Sequence, residues 1–205
     1  MIEVSSLVRY ARDLIEPQAA KKGITVKLDL IPLYVYGNPA LLSELVMNLL
    51  DNAVKYNREN GQVEVALTKV DDRVVLTVSD TGIGIPEDKQ ERIFERFYRA
   101  EESRNKATGG SGLGLSICKH IVENHKGTLQ ISSKEGEGAT FIITLPAMSE
   151  KDVNEEETNE VLAKQEAADG DSGKLAEIEA REMVEEVAKE NKTRQKEKKE
   201  KKRKK

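Results

Sequence analysis

Apolar residues recur along residues 3–146 with two different periods. From 3 to 22, Val4, Leu7, Val8, Ala11, Leu14 and Ile15 fall at helical spacing, and Lys22-Gly23 closes that helix. T-V-K-L-D-L (25–30) alternates as a strand. A second helix starts at Pro39, a favoured first position for proline, and runs to about Tyr56. Residues 63–70 and 73–80 predict two strands joined across Asp71-Asp72. The stretch 81–112 is rich in glycine and charge and reads as a long functional loop, with a short helix around 87–98. A third helix spans about 113–125 and ends at Gly127. Two strands, 128–133 and 139–145, follow around the turn E-G-E-G, and Pro146 stops the pattern. This order predicts a two-layer α/β sandwich with one sheet face covered by helices.

Composition changes the picture beyond residue 148. The net charge of −4 hides a steep asymmetry: residues 150–190 hold 15 acidic and 5 basic side chains, and 192–205 hold 10 basic and 2 acidic ones. Residues 1–147 read as one domain and 148–205 as a charged tail, mostly disordered, with a helix at 174–190 carrying Leu175, Ile178, Val184 and Val187. The single cysteine excludes an internal disulfide. No apolar run approaches the ~20 residues that span a bilayer. Glu3 and Arg9 interrupt any signal peptide, so a soluble cytoplasmic protein is expected.

Chemistry-bearing residues cluster in three stretches. On the second helix, Leu41, Leu42, Leu45, Val46, Leu49, Leu50, Ala53 and Val54 make an apolar stripe, and Glu44, Asn48, Asn52 and Lys55 line the other face, closed by Tyr56. Any surface helix needs a wet face. Asparagine is a weaker helix former than Glu, Lys or Gln, however, and its carboxamide oxygen suits a hard cation. Strand alternation places Asp80 on the core side with Val74, Leu76 and Val78, where a carboxylate needs donors. It either caps the following turn or accepts from an exocyclic amine such as that of adenine. Gly82 and Gly84 would let the chain lie flat against a planar ring. Gly110, Gly112 and Gly114 alternate before the third helix, whose N-terminus suits phosphate; a slack loop has the same composition. Within that helix Leu113, Ile117, Ile121 and Val122 form the expected buried stripe, with Cys118 beside it as a small core residue. His120 and His125 read as structural, His125 favourable to the helix C-terminus.

Together these stretches resemble the catalytic, ATP-binding domain of bacterial sensor histidine kinases over roughly residues 3–146. N-L-L-D-N-A-V-K-Y (48–56) looks like the N box, D-T-G-I-G-I-P (80–86) the G1 box, F-E-R-F-Y-R (94–99) the F box and G-G-S-G-L-G-L (109–115) the G2 box. G-E-G-A-T-F (136–141) looks like the last glycine motif. The resemblance implies a Bergerat-type fold, a mixed sheet covered on one face by three helices, with a flexible ATP lid. It implies that Asp80 reads the adenine amino group with help from Thr140 and a water. Asn52 would bind Mg²⁺ with Asn48 beside it, Lys55 would neutralise phosphate charge, and Tyr56 would pack near the nucleotide. Gly110, Gly112 and Gly114, with the Leu113 amide, would hold the β- and γ-phosphates. The lid, carrying Phe94, Phe97 and Arg99, would close over ATP.

Departures from the family shape the expected activity. In related ATPases a glutamate four residues before the metal-binding asparagine activates water; Asn48 stands there, so hydrolysis should be poor. The family's phosphoacceptor histidine lies in a helical hairpin, in a motif like H-E-L-R-T-P, which this sequence does not contain; its first histidine is His120. Asn38 stands where an aspartate often follows the glycine. The expectation is a monomeric kinase domain, phosphorylating a histidine on a dimerisation domain in trans and indirectly serving a response regulator. Any membrane anchor would belong to a parent kinase. Two other classes remain open: a regulator resembling anti-sigma serine kinases, and a non-catalytic nucleotide-binding module whose basic tail meets nucleic acid or an anionic membrane.

Overall fold

The computed structural model describes residues 1–99 and 111–148. Gly110, the rest of the loop 100–110, and the tail 149–205 with its expected helix lie outside the described residues. The chain runs β1 (Ile2–Glu3), α1 (Val4–Lys21), β2 (Thr25–Leu30), β3 (Tyr34–Val35), α2 (Pro39–Lys55), β4 (Gln62–Val70), β5 (Arg73–Asp80), α3 (Gly114–Asn124), β6 (Thr128–Lys134) and β7 (Gly138–Pro146). Two one-turn 3-10 helices, Glu87–Lys89 and Arg92–Phe94, lie between β5 and α3.

Five strands form one mixed sheet in the order β2-β4-β5-β7-β6. β2 pairs parallel with β4 across the α2 crossover, and every other pairing is antiparallel. Alternation sorts the side chains: Val63, Val65 and Leu67, then Val74, Leu76 and Val78, then Phe141, Ile143 and Leu145 are all buried on one face. The three helices pack over that face, α2 between α1 and α3. Leu45, Leu49 and Leu50 of α2 are at most 1 % exposed, and each contributes about 2 kcal/mol of apolar burial.

Both ends of α2 are fixed by side chains. The Asn38 side chain accepts from the amides of Ala40 and Leu41 at 2.9 and 3.2 Å, with Pro39 in the first turn. At the other end Lys22 Nζ donates to the carbonyls of Val54 and Lys55 at 3.0 and 2.7 Å, a cation at the negative end of the helix.

Two features depart from the sequence expectation. The pair β1–β3 is too short to show a period; it is held by the register Ile2↔Val35 and the bond from Val4 N to Leu33 O. The helix expected over 87–98 is replaced by the two 3-10 turns. Phe97 adopts φ 65° and its amide donates to Gly112 O at 2.9 Å, so that N–H is spent across the loop rather than along a helix.

Candidate functional site

One cavity opens between α2, the ends of β5 and β7, the loop after β5 and the start of α3. The exposed edge of the α2 stripe supplies Asn48, Asp51, Asn52, Lys55 and Tyr56. All five are half-buried, whereas Glu44 is exposed and outside the cavity. Asn48 and Asn52 make no side-chain hydrogen bond among the described residues. Two mid-helix carboxamides thus keep their oxygens available at a concave surface. Lys55 Nζ lies 5.3 Å from the Tyr56 ring centroid, a cation over an aromatic face.

Asp80 ends β5 at the back of the cavity, directly across from Ala139 of β7. Its Oδ1 accepts from Gly82 N at 2.8 Å and from Ala139 N at 3.4 Å, while Oδ2 has no partner among the described residues. One oxygen therefore caps the turn, as the first of the two sequence readings expects, and the residue itself lines the cavity. Burial raises the Asp80 carboxyl above its ordinary range, and the Gly82 and Ala139 amides oppose that shift.

The two glycines after Asp80 are each held in close contact with protein backbone. A Cβ on Gly82 would meet Tyr56 O at 2.4 Å and Asp80 Oδ1 at 2.8 Å, so this glycine packs behind the carboxylate and does not line the cavity. Gly84 does line it, at φ 66°, but a Cβ there would meet Lys134 O at 2.0 Å. Both are required by protein backbone rather than by cavity space. The loop is further tied to the β6–β7 hairpin: Gly136 N donates to Ile83 O at 2.7 Å and Ile85 N to Ser133 Oγ at 2.9 Å. Gln90 Nε2 bridges Ile85 O and Ser133 O at 3.0 and 2.8 Å.

Opposite Asp80, Ser111, Gly112, Gly114 and Leu115 bring the first turn of α3 to the cavity. Among the described residues no side chain caps that helix at Leu113, so its first-turn amides are available to an anion. Gly114 sits against Asn48, its ideal Cβ 3.3 Å from the Asn48 Oδ1. Gly112 needs its φ of 69°, and a Cβ on it would strike the Phe97 backbone at 2.8 Å. Leu113 itself is not brought to the cavity, and its amide donates to Ser111 Oγ at 3.3 Å. Arg99 lines the cavity; Phe94 is half-buried outside it, and Phe97 is 72 % exposed.

Thr140 is the clear correction among the expected site residues. It lies on the face of the sheet opposite the three helices, where its Oγ1 and Ser79 Oγ share a hydrogen bond of 3.0 Å. Successive strand residues point to opposite faces, so Ala139 and Phe141, not Thr140, reach the cavity. Alternation from buried Phe141, Ile143 and Leu145 signals this in the sequence. The sequence reading also left out Asp51, Ser111 and the apolar wall of Ile83, Ile85, Ile93 and Tyr98. Asp51 is legible in the spacing N-x-x-D-N; the wall is not, because it assembles from the loop after β5.

In α3, Cys118, Ile121 and Val122 are buried, whereas Leu113 and Ile117 are half-buried, so the stripe is rotated toward Cys118. His125 uses both ring nitrogens, Nδ1 toward Ile121 O at 2.7 Å and Nε2 toward Asn38 N at 3.1 Å. His120 is exposed and pairs with Asn124.

The cavity thus joins an apolar slot with a buried carboxylate acceptor to a polar end with carboxamides, Lys55, Arg99 and a helix N-terminus. A planar amine-bearing ring with an anionic tail is complementary to it. Residues 37–149 match the family model of histidine kinase-, DNA gyrase B- and HSP90-like ATPases. The chain belongs to this family. Within it, the chain is a histidine kinase ATPase domain of the two-component sensor type. It is 47% identical over 116 residues to the sensor histidine kinase RppB of Synechocystis sp., covering 57% of this chain and 26% of that protein. The solved structure of the mycobacterial sensor histidine kinase MprB superposes with a TM-score of 0.64 at 29% identity, covering 71% of this chain and 95% of that one. Full-length ShkA in complex with AMPPNP gives a TM-score of 0.62 at 29% identity, covering 72% of this chain and 31% of that one. The chain therefore spans about a quarter of RppB. Among the described residues no helix is long and apolar enough to cross a membrane.

Proposed function

We propose that the chain binds Mg·ATP in this cavity and delivers the γ-phosphate to a histidine on a dimerisation domain supplied in trans, which in turn serves a response regulator. The observation that carries this reading is the split use of the Asp80 carboxylate. Its Oδ1 is anchored by Gly82 and Ala139, so its Oδ2 is held as an acceptor at the end of an apolar slot. An adenine amino group is the complementary donor. The AMPPNP held by ShkA, a chemical analogue of ATP, supports the same ligand here.

Asn52, with Asn48 one turn before it, would hold Mg²⁺: both residues line the cavity, neither side chain has a hydrogen-bond partner among the described residues, and Mg²⁺ prefers oxygen. When bound, the ion neutralises phosphate charge. The chain's own part is positioning. The Gly112 and Gly114 backbone and the α3 N-terminus receive the phosphates, Lys55 and Arg99 offset their charge, and Tyr56 packs beside them. Asn48 offers no base for water, which reserves the phosphoryl group for a protein acceptor. His125 is committed through both nitrogens to Ile121 and Asn38, so it is not the acceptor.

The test is to incubate the chain with γ-labelled ATP alone, and then with an isolated dimerisation hairpin that carries an acceptor histidine. Acid-labile label should appear on the hairpin only. Label on His120 or His125 in the chain alone would contradict the trans reading.

A further inference from the structure

Asp51 is the residue in the cavity that neither the motif pattern nor the proposed chemistry uses. It sits on α2 three residues after Asn48 and one before Asn52, half-buried, with its side chain lining the same cavity. Residues three and four apart on a helix are surface neighbours, so Asn48, Asp51 and Asn52 form one contiguous group of oxygens. None of the three side chains makes a hydrogen bond among the described residues. Among the described residues only one other carboxylate lines the cavity, Asp80, and its Oδ1 is already taken by the Gly82 and Ala139 amides.

A carboxylate at this place is a puzzle in a phosphate pocket. Beside Lys55, Arg99 and the N-terminus of α3, it would repel the phosphates it faces unless a cation stood between them. Mg²⁺ at nucleotide sites is bound through one or two carboxylates together with phosphate oxygens and waters. Asn48 and Asn52 alone would supply only neutral oxygens.

We infer that Asp51 is a charged oxygen contact of the Mg²⁺ site, completing a helix-borne set with Asn48 and Asn52. It makes nucleotide affinity depend on the metal. This rests on the Mg·ATP reading above. The charge works in both directions: it strengthens binding of the metal complex and weakens binding of metal-free nucleotide, so the site selects Mg·ATP over ATP.

The test is calorimetric titration of ATP into the chain and into Asp51→Asn, each in EDTA and in saturating Mg²⁺, with Asp51→Glu as the charge-retaining variant. Thermal unfolding checks that each variant folds. The wild type should bind more tightly with Mg²⁺ than without it. Asp51→Asn should lose roughly 10-fold or more of that Mg²⁺-dependent gain, the scale of metal-site contacts, while its affinity in EDTA stays equal or rises. Asp51→Glu should keep part of the gain. An equal loss of affinity in EDTA and in Mg²⁺, the signature of a residue that merely positions Lys55 or the helix, would overturn the inference. So would an Asp51→Asn variant indistinguishable from wild type, which leaves the Mg·ATP reading intact. A wild type that binds no ATP in either condition would overturn both.

Discussion

The His125 imidazole accepts a hydrogen bond from the Asn38 amide at 3.1 Å, which joins the end of α3 to the first turn of α2. Its other nitrogen meets Ile121 O at 2.7 Å, so a proton on Nδ1 satisfies both contacts. The ring lies over Gly37, where a Cβ would come within 2.4 Å of it. Gly37 and His125 are therefore one packing unit. Gly37→Ala should cost about 1–3 kcal/mol through overpacking, and His125→Ala about as much through lost bonds and burial. In the double variant the costs should fall short of their sum by about 1 kcal/mol or more, read from denaturant midpoints. Simple additivity would contradict the contact.

Asp80 predicts a stability trend with pH. Burial raises its carboxyl in the fold despite the Gly82 and Ala139 amides. A raised folded-state value means that the fold disfavours the ionised form. The contribution is fully favourable below the unfolded-state value and is lost as pH rises through the folded-state one. Asp80→Asn keeps an oxygen for both amides and removes the charge. Without nucleotide, its melting temperature relative to wild type should rise as pH goes from acid to neutral. A difference that does not change with pH would contradict the assigned cause.

The long elements were legible because their periods were: the α2 stripe, the alternating cores of β4 and β5, and the helix-strand order all appear as expected. What escaped was set by contacts distant in sequence. The Phe97 amide takes Gly112 O in place of a helical partner, and Ile83 and Ile85 become a cavity wall only because Gly136 and Ser133 bind their backbone. Thr140 is a different case, since alternation along β7 points it away from Asp80, whereas the family resemblance had assigned it to the adenine. Asp51 was written within the N box but carried no expected role.

Cys118 is fully buried against α2, and burial first, then the charge of Glu44, push its thiol up to about 12. Only the thiolate reacts with disulfide reagents. Native protein should therefore resist labelling at mildly alkaline pH and react in one step once unfolded, as followed by release of a chromogenic thiol. Rapid labelling of the native chain would contradict this burial.

Asn48 sits one turn before Asn52 and beside Gly114, its Oδ1 3.3 Å from that residue's ideal Cβ. A glutamate there would place a carboxylate at the proposed phosphate end. Asn48→Glu should raise ATP hydrolysis in the absence of an acceptor by ~100-fold or more, the low end of general-base effects, measured by phosphate release. No increase, in a variant that still binds ATP, would show that Asn48 is not what holds hydrolysis down.

The central claim is that the slot ending at Asp80 is the adenine end of an ATP site. Calorimetric titration of Mg·ATP into wild type and Asp80→Asn tests it most directly. The variant presents an amide donor where the adenine amine needs an acceptor, so its affinity should fall ~10-fold or more, the scale of a hydrogen bond to a charged group. Equal affinity of the two proteins would contradict the assignment.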